Sequence, residues 1–126
     1  MRIFKTKWFA RFARHEQILD AGLREAIERA ESGLIDADRG GGLIKQRVAR
    51  RGKGRSGGYR VIVAHRARAR AIFLFGFAKS ERENVGTDDL IGLRELAENW
   101  LAASTAKIEM ELEIGNLQEV ENGEET

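Results

Sequence analysis

The chain contains no cysteine and only two histidines, His15 and His65, among its 126 residues. Without a thiol there is no disulfide, no thiolate nucleophile and no cysteine-built metal site. Isolated histidines, one in a basic helical stretch and one at the end of a strand-like run, read as structural or solvated groups. A metal site would have to rest mainly on carboxylates, and no clustered acidic pattern supports one. Phosphate loops are missing as well: GKGRSGG lacks the G-x-x-x-x-G-K-[ST] spacing, and GGGLIK comes no closer. Ser56, beside two glycines, reads as a turn residue rather than a nucleophile. No apolar run approaches the roughly 20 residues that a bilayer-spanning helix needs. The basic, aromatic N-terminus MRIFKTKWFARFARH lacks the apolar segment and cleavage site of a secretory signal. The expected compartment is the cytoplasm, with no membrane association and no cofactor.

Acids are absent from one long stretch. Between Leu43 and Arg70 the chain carries ten bases (Lys45, Arg47, Arg50, Arg51, Lys53, Arg55, Arg60, Arg66, Arg68 and Arg70) and no acid. From Asp88 to Thr126 the balance reverses, with eleven acids against Arg94 and Lys107. The net charge of +2 hides this segregation, which creates a strong local field. A solvated face explains scattered bases well, but it explains 28 residues without one acid less well. The favoured reading is a surface that holds a polyanion.

A length of 126 residues suits one domain, with 42% apolar residues to build its core. RIFKT reads as a first strand, and Trp8, Phe9 and Phe12 give the following helix, from about Lys7 to Arg14, an aromatic core-facing side. Ile18, Leu19, Leu23, Ala26, Ile27 and Ala30 form the stripe of a second helix, with Gly33 at its C-cap. Asp36 and Asp38 read as loop residues. After Gly40-Gly41-Gly42, LIKQRVA alternates as a strand with Leu43, Lys45, Arg47 and Ala49 on one face. Residues 50–58 read as a glycine-rich basic loop. YRVIVAHR and AIFLFGFAK are the next strands, and the second is apolar on both faces, as a central strand is. Thr87 is the expected cap of a helix with the stripe Leu93, Leu96, Ala97, Trp100 and Leu101. TAKIEMELEI reads as a shorter helix, and NLQEVENGEET as an exposed acidic tail with at most a few residues of strand. The predicted fold is α+β, an antiparallel sheet of about four strands in the order β-α-α-β-β-β-α, with a domain at 1–114 and a tail at 115–126.

Clustered lysine and arginine are chemically sufficient to cleave RNA. Single-stranded RNA carries its own nucleophile, the 2′-hydroxyl. A lysine whose pKa is lowered by neighbouring cations can take its proton, and arginines can meet the charge on the phosphorane. A binding surface without chemistry needs the same residue types, so composition leaves both open.

The segment LIKQRVARRGKGRSGGYRVIVAHR, followed by AIFLFGFAKSERENV, resembles the RelE/ParE superfamily of bacterial toxin–antitoxin toxins. The nearest branch is RelE- or HigB-like, with an R-S/G-G-G-Y/A-R strand entry and an F/Y-A-K strand exit. The motif covers about Leu43 to Val85, and the flanking elements fit the family's order. The resemblance implies a small microbial-RNase-type fold and an mRNA endoribonuclease that usually cuts on the translating ribosome. By motif it places Lys45 or Lys53 as base, Arg60 on the phosphorane, and Lys79 as a phosphate contact or the acid. Arg47, Arg50, Arg51, Arg55 and Arg82 become RNA contacts, with Tyr59 and Phe77 either stacking surfaces or core. Ser80 and Gly86 depart from the family's arginine and tyrosine at the corresponding positions. Two alternatives share the scaffold or the charge: a ParE-like inhibitor of DNA gyrase, and an RNA-binding module without catalysis. The implied partners are a cognate antitoxin, mRNA and the ribosome, and the acidic tail is a candidate shield of the basic surface in cis.

Overall fold

The computed structural model describes residues 1–50, 54–81 and 85–121, the side chains of 54–56 excepted. It is an α+β structure with one mixed sheet. The strands are β1 (Arg2–Thr6), β2 (Ala37–Gly40), β3 (Leu43–Arg50), β4 (Gly54–Arg66), β5 (Arg70–Ala78) and β6 (Leu117–Glu119). The helices are α1 (Lys7–Glu16), α2 (Asp20–Glu31), α3 (Thr87–Ala102) and α4 (Thr105–Glu113). The sheet order is β2-β3-β4-β5-β1-β6.

The α+β class holds, and the three expected neighbours β3, β4 and β5 are antiparallel. Two features depart from the expected four antiparallel strands. The edge strands β2 and β6 bring the count to six, and β1 lies parallel to β5 rather than antiparallel to a neighbour. ADRG and LQE are too short and too polar to show an alternating signal of their own; pairing with β3 and β1 makes them strands. Asp38 therefore belongs to a strand, while Asp36 stays outside one. Residues 117–119 of the expected tail sit in the sheet, with Leu117 and Val120 buried. Glu119 pairs with Arg2 at 2.9 Å, at the opposite side of the sheet from β3, so this acid does not shield β3 in cis.

Helices cover both faces of the sheet. On one face α1 and α2 pack Phe9, Leu23, Ala26 and Ile27 against Ile44, Val48, Val61 and Phe73. On the other, α3 and α4 pack Ala97, Leu101 and Ile108 against Leu43, Ile62, Ile72 and Phe4. Leu96, expected in the buried stripe of α3, is instead exposed beside Trp8 and Trp100 in a surface groove. The caps follow local chemistry: Thr6 Oγ1 accepts from the Phe9 N–H at 3.2 Å, and Ser104 Oγ from the Lys107 N–H at 3.0 Å. Helix α3 begins at Thr87 with Gly86 as its N-cap, one residue before the expected cap. Gly33, with φ of 89°, follows Ser32 in the left-handed region that ends α2. Gly42 has a φ of 84°, in the left-handed region that suits glycine, and a Cβ there would lie 2.6 Å from Leu101 Cδ1, so that side chain would have to shift.

Gln46 locks β3 to the helical layer. It is completely buried and fully bonded: Nε2 donates to Ala26 O at 2.9 Å and Leu34 O at 3.2 Å, and Oε1 accepts from the Asp36 N–H at 2.7 Å. Arg29 adds to this tie by donating to the carbonyl of Arg47. Replacing one partner of a buried hydrogen bond costs the desolvation of whatever is left unpaired. Gln46→Leu is expected to lower the unfolding free energy by about 2–3 kcal/mol, read from urea denaturation. An unchanged midpoint would show that the tie contributes nothing.

Candidate functional site

Strand alternation sorts the basic residues. Directly paired residues in an antiparallel ladder share a face. Arg47 pairs with Arg60, and Arg60 in turn with Phe77, so these three form one row across β3, β4 and β5. Lys45 pairs with Ile62 in the next row, on the same face. Lys79 lies just past β5, where its N–H donates to Gly58 O at 2.9 Å. That register sets it one row beyond Arg60 and Phe77, opposite a residue with no side chain. The structure thus brings Lys45, Arg47, Arg60 and Lys79 to one end of one face, the face on which α3 packs.

Their environments differ. Arg60 is only 7% exposed, and its Nη1 donates to Tyr59 O at 3.4 Å. The Arg47 side chain is 50% exposed; its Nε lies 3.9 Å from Asp36, whose other oxygen accepts from the Arg47 N–H at 2.7 Å. Lys79 is exposed. Lys45 is partly buried, and burial is the first cause that pushes its ammonium below the usual lysine range. The positive charges of Arg39, Arg60 and Arg47 push further the same way, and Asp36 opposes them. A lysine in such surroundings becomes a usable base nearer neutrality than an ordinary lysine would.

The other predicted residues separate from this group. Tyr59, expected among the RNA-contacting candidates, is a core residue on the opposite face, 3% exposed. Its hydroxyl donates to the Glu16 carboxylate at 3.0 Å, its ring meets Phe12 edge-on, and burial together with Glu16 raises its pKa. Arg50 lies over that ring at 5.6 Å, away from the Lys45 face. Phe77 shares the face with Arg60 but is 5% exposed and tilted against Phe75, so it offers no open ring for a base to stack on. Of the two readings open for Tyr59 and Phe77, stacking surface or core, burial favours the core for both: alternation aims one into the α1–α2 layer, and the other is closed over by its neighbours. Arg51, Lys53 and Arg82 lie outside the described residues, as does the side chain of Arg55, whose backbone is in β4.

Three further bases of the same segment serve the opposite end of β4 and β5. Arg66 donates to Leu101 O at 3.2 Å, and Arg70 to Trp100 O and Ala103 O at 2.8 and 2.7 Å, capping carbonyls at the end of α3. The Arg68 N–H donates to Glu31, which also takes the buried His65 at 2.6 Å. Among the described residues no cluster of His, Asp or Glu could hold a metal ion, and no helix is long and apolar enough to cross a membrane.

The chain matches, over residues 1–120, the family model described as the RelE toxin of the RelE/RelB toxin–antitoxin system. It belongs to the RelE toxin family. No curated protein matches the chain. Family membership makes a cognate antitoxin its implied partner.

One cation of this RelE-family toxin escapes a reading of the sequence. Arg39, on β2, contributes the largest charge effect on Lys45. Three polar and small residues running into a triple glycine carry no strand signal, and only their pairing with β3 reveals which way Arg39 faces. The buried place of Tyr59 is open to direct test. Tyr59→Phe removes the bond to Glu16 and is expected to cost about 1 kcal/mol of stability. RNA affinity should remain at the parental level in a filter-binding assay, and a clear loss of affinity would return Tyr59 to the RNA surface.

Proposed function

We propose that this RelE-family toxin is an endoribonuclease that cuts mRNA on the ribosome by attack of the RNA's own 2′-hydroxyl. The observation that carries the reading is Lys45, a partly buried amine with a lowered pKa in the midst of like charges. A surface that only bound RNA would gain from cations but would have no use for a desolvated one.

In this mechanism the free amine of Lys45 takes the 2′-hydroxyl proton as the oxygen attacks phosphorus. Arg60 and Arg47, paired across β3 and β4, hold the non-bridging oxygens and meet the charge of the phosphorane. The bond from phosphorus to the 5′-oxygen then breaks, and the ammonium of Lys79 supplies the proton that the leaving oxygen needs. The products are a 2′,3′-cyclic phosphate and a 5′-hydroxyl, so protons and bonds balance without a second reactant.

Lys45→Met and Arg60→Ala are each expected to slow cleavage of translated mRNA by about 10²–10³-fold, measured by primer extension. If both variants fold and cut at the parental rate, the assignment is wrong. Intact mRNA together with inhibited DNA gyrase would favour the alternative role on the same scaffold.

The charge environment also predicts a pH dependence. Only the unprotonated amine accepts a proton, so on the acidic side the rate should rise with pH toward the Lys45 pKa. Because that pKa is lowered, the midpoint of this rising limb should lie below the ~10.4 of an ordinary lysine. Arg47→Gln removes one of the charges that lower it, and the rising limb should move to higher pH. A profile that does not shift would separate Lys45 from the proton transfer.

A further inference from the structure

Beyond the residues already placed, the strand that opens the β2–β3 hairpin carries an arginine in an unusual setting. Ala37 pairs with Lys45 and Asp38 with Ile44, but the next pair is Gly40 with Leu43, so one residue is inserted at Arg39. An insertion of this kind turns two successive side chains toward one face. Ala37 stands opposite Lys45, so alternation already puts Arg39 on the Lys45 side of the sheet, and the inserted residue brings Gly40, opposite Leu43, to that side as well. A short, charged edge strand with a bulge resists pairing with other chains, and here it also carries a cation on the Lys45 side.

The position is braced. Asp38 Oδ1 accepts from the Gly40 N–H at 2.8 Å across the bulge. The carbonyl of Arg39 accepts from Arg94 Nε on α3 at 2.6 Å. The Arg39–Gly40 peptide is thus held at both of its polar groups, its N–H by Asp38 of the same strand and its carbonyl by the helix that packs over the site. Arg39 lies on one side of Lys45, and the Arg47–Arg60 pair on the other. Its positive charge comes first among the three that push the Lys45 amine below its usual range.

We propose that Arg39 is an additional RNA-binding residue, taking a backbone phosphate neighbouring the one held by Arg60 and Arg47. This rests on the RNA-cleaving reading and deepens it, because it sets the path of the strand. The RNA runs across β4, β3 and β2 rather than along the β3–β4 hairpin, and the scissile phosphate lies between Arg39 and Lys79. Arginine suits this position, since its planar fork can engage a phosphate while its own carbonyl stays fixed by Arg94.

The test is binding of a short single-stranded RNA made uncleavable by 2′-O-methyl groups, measured at several salt concentrations. The proteins are the parent, Arg39→Ala, Arg39→Lys and, as a control for losing one positive charge elsewhere, Arg11→Ala on the exposed side of α1. Arg39→Ala should bind roughly tenfold more weakly. Its salt slope should fall by about 0.7, the value for one phosphate contact on a single strand. Arg39→Lys should recover most of the slope, and Arg11→Ala should match the parent. If Arg39→Ala does not fold, Arg39→Gln takes its place, with melting temperature as the check. A folded Arg39 variant with parental affinity and slope, or one that loses no more than Arg11→Ala, overturns the inference alone. A parent that neither binds this RNA nor cuts translated mRNA overturns the RNA-cleaving reading and the inference with it.

Discussion

The pairing of Lys45 with Ile62 and of Arg47 with Arg60 fixes everything at the candidate site, because side chains alternate across a strand. A slip of one residue between β3 and β4 would turn both cations into the α1–α2 core and carry Gln46 and Val48 to the other face. The apolar half of the pattern prevents the slip: Ile44, Val48, Val61 and Val63 fill one helical layer, and Leu43, Ile62 and Ala64 the other. Burial on both faces therefore sets the register, and the register gathers the charges. Placing two arginines directly opposite each other works against folding, and a local conflict of that kind inside a consistent fold is what a functional site is expected to show.

The same basic segment performs two physical tasks at two ends of the sheet. At one end Arg66 and Arg70 cap carbonyls at the end of α3, where positive charge complements the helix dipole. At the other end Lys45, Arg47 and Arg60 lie on the face on which α3 packs. Helix α3 joins the two ends, since its C-terminus is tied by those arginines and Arg94 reaches from it to the β2 bulge. Gln46 and Arg29 secure β3 from behind. The cations at the site are thus presented by strands braced on both faces, an arrangement that favours preorganised charge over a surface that must be assembled as the ligand arrives.

Much of this was legible in the sequence where periodicity is strong. The alternation in LIKQRVA put Lys45 and Arg47 on one face, and the apolar run AIFLFGFAK marked a central strand; both follow from side-chain geometry alone. The RelE resemblance rested on the arginine of GGYR and the lysine of FAK, and those residues do converge. Most of what the pattern missed depended on partners distant in sequence. ADRG is a strand only because β3 pairs with it, and LQE only because β1 does, so neither Arg39 nor the burial of Leu117 had a local signal. Tyr59 and Phe77 were ambiguous because an aromatic ring at a strand end suits a core and a nucleobase equally. Glu16 and Phe75, one far along the chain and one a neighbour on the same strand, decide both for the core.

The central claim is that the nucleophile belongs to the RNA and its proton goes to the cationic cluster. The most direct measurement is the chemistry of the cut ends, read by mass spectrometry of a short mRNA fragment released during translation with the purified toxin. The account predicts a 2′,3′-cyclic phosphate on the upstream fragment, a 5′-hydroxyl on the downstream one, and no cut where the 2′-hydroxyl at the cleavage position is methylated. A 5′-phosphate with a free 3′-hydroxyl, or cleavage that persists at the methylated position, would contradict it.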